Sequence, residues 1–238
     1  MDANALLKEL EQLVQQLQEA VQDLYEQVSE TIGRIPDWLG YLRDRLLDAW
    51  DWLCEKLTPL WDWIARYFSR PGDPGALQAL AGRWTNEVGQ PVGGEATVAD
   101  AGTLLADDVW VGIAADRYKQ ALGPQRAAIA AAKTSLADTM SKALGAVATA
   151  LWVEFVAVGV ALVTLLGLAA TAIAAACGVF TAPAAPFALG VGVAAFLAAT
   201  TAAGIKLSVD SGNAKSDIER GLADAAFGGG SWPKAVVS

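Results

Sequence analysis

The 238-residue sequence predicts an all-α protein: a bundle of long helices, a helical hairpin in its middle, and after it a hydrophobic hairpin long enough to be transmembrane. Three observations predict this. Apolar residues recur every three or four positions through the first two thirds of the chain, the period of a helix face. Glycine and proline cluster between those runs, at 33–36, 71–74, 89–94 and 183–186. From Gly145 to Ile205, 61 residues, the only charged side chain is Glu154, and this stretch explains a mean hydropathy of +0.34 in a chain with 18% charged residues.

Composition narrows the function. With 26 acidic residues against 17 basic ones the net charge is −9, which argues against a nucleic-acid binder relying on a uniformly basic surface. The absence of histidine removes the usual general base, the usual zinc ligand and every Ser-His or Cys-His pair. Cys54 and Cys177 stand far apart with no CxxC, so neither a metal site nor a disulfide framework is written here. Asp107 and Asp108 read as helix-start acids, and Leu189-Gly190-Val191-Gly192 lacks the strand-to-helix setting of a phosphate loop. A non-enzymatic protein without a cofactor is expected.

Residues 1–35 read as a coiled-coil-like assembly helix. Glu, Gln, Leu and Ala dominate up to Gly33, and no proline precedes Pro36. Leu10, Leu17 and Leu24 share one heptad position, and Val14, Val21 and Val28 share the other. Valine at a with leucine at d favours two parallel strands, so this seam predicts a homo-oligomer. The alternative is a helix packed inside its own chain's bundle, which Leu13 and Ala20 favour by widening the apolar face.

Residues 36–72 read as a Trp-rich amphipathic helix with Pro36 in its first turn. Ile35, Trp38, Leu42, Leu46, Trp50, Leu53, Leu57, Trp61, Ile64 and Phe68 form its stripe, and Trp52 and Trp63 fall beside it. Five of the nine tryptophans (Trp38, Trp50, Trp52, Trp61 and Trp63) thus crowd into 26 residues around an expected kink at Pro59. Indole suits a membrane-water boundary or a protein interface, which makes these five candidate interfacial residues; a large ordinary core is the alternative. Basic residues here are matched by acids, unlike the basic face that anionic lipid selects.

Residues 73–150 read as a helical hairpin. Asp73 caps a helix with Pro74 at its first position, and Leu77, Leu80, Trp84 and Val88 continue on one face until Gly89, Pro91, Gly93 and Gly94 kink or interrupt it. A second helix carries Tyr118, Leu122, Gln125, Ile129, Ala132, Leu136, Met140 and Leu144, tolerating a break at Gly123 and Pro124. Between them, Trp110-Val111-Gly112 is followed by Ala114, Ala115 and Tyr118: glycine permits the turn, tryptophan fills the end of the hairpin, and alanine lets the helices approach.

That segment resembles the WXG100 (ESX-like) family of helical hairpins tied to type VII secretion, through Trp110, Gly112, Ala114, Ala115 and Tyr118 over roughly residues 74 to 150. The Trp-rich helix followed by a PGxP linker also resembles the region upstream of this hairpin in extended actinobacterial members. The resemblance implies a helical bundle, export without a cleaved signal peptide, and either self-association through the hairpin faces or a partner there, a secretion-machinery or exported protein. One feature departs from the family: none of Tyr25, Tyr41, Tyr67 or Tyr118 has an acid four positions later. Trp110 plugging a helical hairpin of no secretory significance is the alternative.

Residues 151–206 read as a hydrophobic hairpin. Phe155–Cys177 and Phe187–Ile205 supply 23 and 19 uncharged residues, each near the roughly 20 needed to span hydrocarbon. Pro183 and Pro186 set the break between them, Glu154 stands at the entrance of the first span, and Gly159, Gly167, Gly190 and Gly192 permit close helix contact. Three readings follow: a constitutive anchor, a conditionally inserting hairpin stored in a soluble bundle, and a helix pair permanently buried in protein. Lys142 and Lys206 flank the pair and would place both chain ends in the cytoplasm.

Residues 207–238 read as an extension of the last helix, released at Gly228-Gly229-Gly230 into a flexible tail. Met1-Asp2 followed by an acidic helix is no signal peptide, so membrane association or leaderless export is expected. The leading function is a type VII secretion-associated protein that oligomerises and inserts its hairpin into membrane lipid, forming a pore. The other classes are a pore-forming toxin component and a soluble adaptor or chaperone for an exported partner.

Overall fold

The computed structural model describes residues 3–100, 109–227 and 232–233, and among them every regular element is helical. The α-helices are α1 (Ala3–Arg34), α2 (Gly40–Ser69), α3 (Pro74–Arg83), α4 (Gln90–Val98), α5 (Ile113–Ala131), α6 (Asp138–Ala176) and α7 (Ala185–Leu222). Asp107, Asp108 and Gly228-Gly229-Gly230 lie outside the described residues.

The chain forms two compact units, Met1–Gly72 with Leu151–Lys206, and Asp73–Ala150 with Leu207–Ser238. In the first, α1 and α2 share one core with the apolar parts of α6 and α7. Leu10, Leu17 and Leu24 from α1 join Leu46, Leu53 and Leu60 from α2, and these meet Val158, Leu162, Leu165, Leu189, Val193 and Phe196. Each fully buried leucine contributes about 1.5–3 kcal/mol of transfer free energy. The opposite face of α1 is glutamate and glutamine, laced by Gln15–Glu19, Gln22–Glu26 and Arg34–Glu30 contacts one turn apart.

One expectation is corrected at α2. Trp38 is 78% exposed and Leu39 takes the inward place, because a 3₁₀ turn over Asp37–Leu39 precedes the helix and its tighter winding shifts the register. Pro59 stands within an uninterrupted α-helix; there Thr58 returns its hydroxyl to the Cys54 carbonyl.

In the second unit, the Asp73 carboxylate accepts the Ala76 N–H at 2.9 Å, with Pro74 in the first turn of α3. The expected interruption at Gly89–Gly94 is instead a π turn over Trp84–Gly89 that runs on into α4, with Pro91 in that helix's first turn. A second π turn over Ala132–Ala137 joins α5 to α6. Of the expected face Leu122 is buried, but Leu80 is exposed and small residues take most inward places: Ala81, Gly89, Ala128 and Ala131 are buried, and after the second wide turn the phase moves by one, so that Ala137 and Ala143 are buried in place of Leu136 and Leu144. A Cβ on Gly89 would lie 3.3 Å from that of Ala137, and Thr85 hydrogen-bonds Ser141 at 2.8 Å. α5 runs unbroken through Gly123 and Pro124.

Candidate functional site

The hydrophobic hairpin is built as two helices and a tight tip. α6 ends at Ala176, a 3₁₀ turn over Ala182–Ala184 contains Pro183, and Pro186 lies in the first turn of α7. At the tip, the Thr181 hydroxyl donates to the Ala175 carbonyl at 2.6 Å, and the N–H of Ala182 reaches the Gly178 carbonyl at 2.8 Å. Phe180 stands outward.

Both faces of this hairpin are apolar, and only one is covered. Inward, it shares the core with α1 and α2. Outward, Val156, Val160 and Val163 form a stripe on α6, and Phe187, Val191 and Ile205 are exposed on α7. No charged residue lies among positions 155–205. Both helices are long and apolar enough to cross a membrane, and only 28% and 33% of their most apolar stretches are buried. Their exposed face is apolar, unlike the glutamate- and glutamine-rich exposed face of α1. Threonine does not spoil the face: Thr164, Thr171 and Thr200 each donate their hydroxyl to a carbonyl one turn back, satisfying themselves without water.

The compared proteins add nothing here: no family model matches the chain, and neither curated proteins nor solved structures include a similar one.

The heptad seam is already occupied. Leu10, Leu17, Leu24 and Val28 are buried in the chain's own core, and Val14 and Val21 pack beside them. In this conformation α1 offers no free seam to a second copy, because the hairpin supplies the apolar surface that a partner helix would. Seven positions after Leu24, Thr31 takes the next place on that stripe, fully buried, and donates its hydroxyl to the Ala176 carbonyl at 2.7 Å. Sequence reasoning passed over Thr31; its signal was a polar residue in phase with the leucines. Thr31→Val keeps the shape and leaves that carbonyl unpaired, so equilibrium urea unfolding is expected to show a loss of about 1–3 kcal/mol.

Four of the five candidate interfacial tryptophans pack within the first unit. Trp50 lies against Tyr25 with ring centroids 5.4 Å apart, Trp63 meets Phe196 edge-on at 5.2 Å, and Trp61 packs on the core. Trp52 lies directly over Gly190, where an added Cβ would stand 2.1 Å from the ring, and pairs with Phe187 at 5.1 Å. Only Trp38 of the five is exposed, so they form no continuous boundary belt. Among the hairpin glycines, Gly159 meets Leu10 and Gly192 meets Leu168, whereas Gly167 is exposed with nothing near its Cβ position.

At the entrance of the hairpin, Phe155 is fully buried and its ring meets that of Tyr67. Just outside the span, Glu154 is half-buried, and burial raises its carboxyl above the usual carboxylate range. Tyr67 is pushed well above the ordinary phenol value, first by burial and then by the Glu154 charge, and its hydroxyl has no hydrogen-bond partner. Because the folded Glu154 carboxyl binds its proton more tightly than the unfolded one, its contribution is most favourable below the unfolded pKa and declines as pH rises through the folded pKa. Glu154→Gln is therefore expected to raise the melting temperature at neutral pH and to change it little in acid, as thermal unfolding at the two pH values will read.

The WxG turn occupies the start of α5. Gly112 has φ +113°, a backbone conformation that glycine adopts without strain, and precedes Ile113 at the helix start. Ala115 is buried, and the rings of Trp110 and Tyr118 lie 5.6 Å apart. Trp110 remains 42% exposed, so it covers the start of α5 without being enclosed. Elsewhere in the second unit an open polar recess of about 400 Å³ is lined by Thr134, Ser135, Thr139, Lys142, Asp217, Arg220, Gly221 and Asp224. Its charged groups are largely engaged with one another or with the fold: Arg220 pairs with Asp217, and Asp224 accepts from Ser135 and the Ala226 N–H, which hold its carboxyl below the usual range.

Proposed function

We propose that this chain is a non-enzymatic helical protein that stores an apolar hairpin in a bundle and inserts it into a membrane. The observation that carries the reading is the outer face of α6 and α7 between residues 155 and 205: solvent-exposed, uncharged and helical throughout. Spans of 23 and 19 residues, rising about 1.5 Å per residue, match a hydrocarbon layer of about 30 Å. Of the three readings of the hairpin, conditional insertion is favoured. A permanently buried pair would not leave its outer face bare, and a constitutive span would not share its inner face with α1, whose far side is ionic.

The test is flotation with phosphatidylcholine vesicles, with release of an entrapped dye read in parallel. The protein is expected to float with the vesicles and to resist carbonate extraction. Protein that stays at the bottom of the gradient, monomeric and without dye release, would refute membrane insertion and leave the adaptor reading in its place. Release that excludes large dyes would mark a pore assembled from several copies.

A second reading, association with type VII secretion, is favoured by the WxG turn: Gly112 at positive φ, Trp110 against Tyr118 and a buried Ala115 supply the features that the resemblance rests on. Loss of export on deleting the secretion ATPase of a type VII-competent host is its expected signature; unchanged export would overturn it.

A further inference from the structure

We infer that the α1–α2 hairpin is a releasable clasp over the inner face of the α6–α7 hairpin, keyed in place by Thr31 and Trp52, and that its release gates insertion. This rests on the membrane reading above and adds the step that controls it.

Three observations carry the inference. First, the clasp does not enter hydrocarbon with the hairpin. α1 is 32 residues long and its exposed face holds Glu9, Glu11, Glu19, Glu26 and Glu30, and charges within a membrane helix are strongly disfavoured. The four-helix unit is thus barred from inserting as a body. Second, the hairpin is ready to leave: its inner face is as free of charge as its outer one, so lipid can replace the leucines of α1 and α2 at little cost. The clasp helices are themselves amphipathic.

Third, the contacts between the two hairpins are specific rather than merely apolar. Thr31 donates to the Ala176 carbonyl at the last residue of α6, fixing the clasp to the hairpin tip. Beside it, the Cys177 thiol donates to the Gln27 side-chain amide oxygen at 3.3 Å. Along α7, the Trp52 ring fills a notch that exists only because residue 190 has no side chain, and it is held there by Phe187. Sliding α1 by one turn would break the first contact and sliding α2 would break the second, so together they set one register for the two clasp helices in the closed state.

The full chain carrying Gln27→Cys and Cys54→Ser tests this. Its new thiol faces Cys177, and a short bifunctional methanethiosulfonate bridges the two reversibly. Flotation on phosphatidylcholine vesicles is then read unbridged, bridged, and after reduction. The expected result is vesicle association by the unbridged protein, a loss of at least about tenfold on bridging, and recovery on reduction; a tenfold change corresponds to about 1.4 kcal/mol. Equal association of bridged and unbridged protein overturns the clasp and leaves the membrane reading standing. Failure of the unbridged protein and of the unmodified chain overturns the membrane reading, and the clasp with it. Gly190→Ala, which leaves no room for the Trp52 ring, is expected to speed association by about tenfold through overpacking of the closed state. An unchanged rate in that variant would remove Trp52 as a key.

Discussion

Val160→Asp and Val191→Asp together are expected to abolish vesicle association while leaving the protein folded. Both valines are more than 60% exposed, one on each helix of the hairpin, and neither belongs to the core. Surface substitutions of this kind change stability by about 0.5 kcal/mol or less. In hydrocarbon the same two carboxylates would each be penalised by less than the cost at a helix centre, about 2.5–3.5 kcal/mol, because Val160 and Val191 stand only six and five residues into their spans. A combined cost of about 3 kcal/mol corresponds to a loss of about a hundredfold in membrane partitioning. Flotation and urea unfolding measured on one preparation separate the two effects. Undiminished flotation would mean that these faces never meet lipid; a large loss of stability would mean that another surface covers them in solution.

Leu17→Ala is expected to have the largest effect on folding, and its character matters as much as its size. Leu17 is fully buried within the first unit, so truncation should cost about 2–5 kcal/mol through lost burial and a residual cavity. The seam of α1 faces this chain's own hairpin, so that cost should not depend on protein concentration. Unfolding midpoints measured over a wide concentration range will check this. A midpoint that rises with concentration in the unmodified protein, and a variant that falls apart into monomers, would instead return the seam to the intermolecular role its heptad pattern suggests. In the clasp picture the same variant also weakens closure, and faster vesicle association should accompany the lost stability.

The charge asymmetry at Glu154 has a smaller, pH-dependent consequence. Its carboxyl is raised by burial, so the closed bundle is held least firmly at neutral and alkaline pH and gains as this group protonates. Acid therefore favours the closed bundle through this residue, while it also removes the one charge at the mouth of the span. The Glu154→Gln comparison across pH separates these two opposed effects, since folding and flotation are read independently.

Helix class and the location of the apolar hairpin were legible from residue order alone, because both depend on short-range periodicity and on the absence of charge. The Asp73 cap and the prolines at the hairpin tip were legible for the same reason: a cap or a turn is decided within four residues. What periodicity leaves open is the identity of the partner. The heptad seam of α1 and the tryptophans of α2 read equally well as surfaces for a second copy, a membrane boundary or an internal core. That choice was made by contacts distant in sequence, Thr31 with Ala176, Trp52 with Gly190 and Leu10 with Gly159, in which shape and a single hydrogen bond select one neighbour among many apolar ones. Register errors had a local source with distant effects. The 3₁₀ turn before α2 moved Trp38 outward, and the π turn at Ala132–Ala137 put Ala137 and Ala143 in the inward places expected of Leu136 and Leu144. Residue order thus specified which helices form and which of them avoid charge; packing specified which face each one hides, because burial is settled by the neighbour that fits and not by the apolar stripe alone.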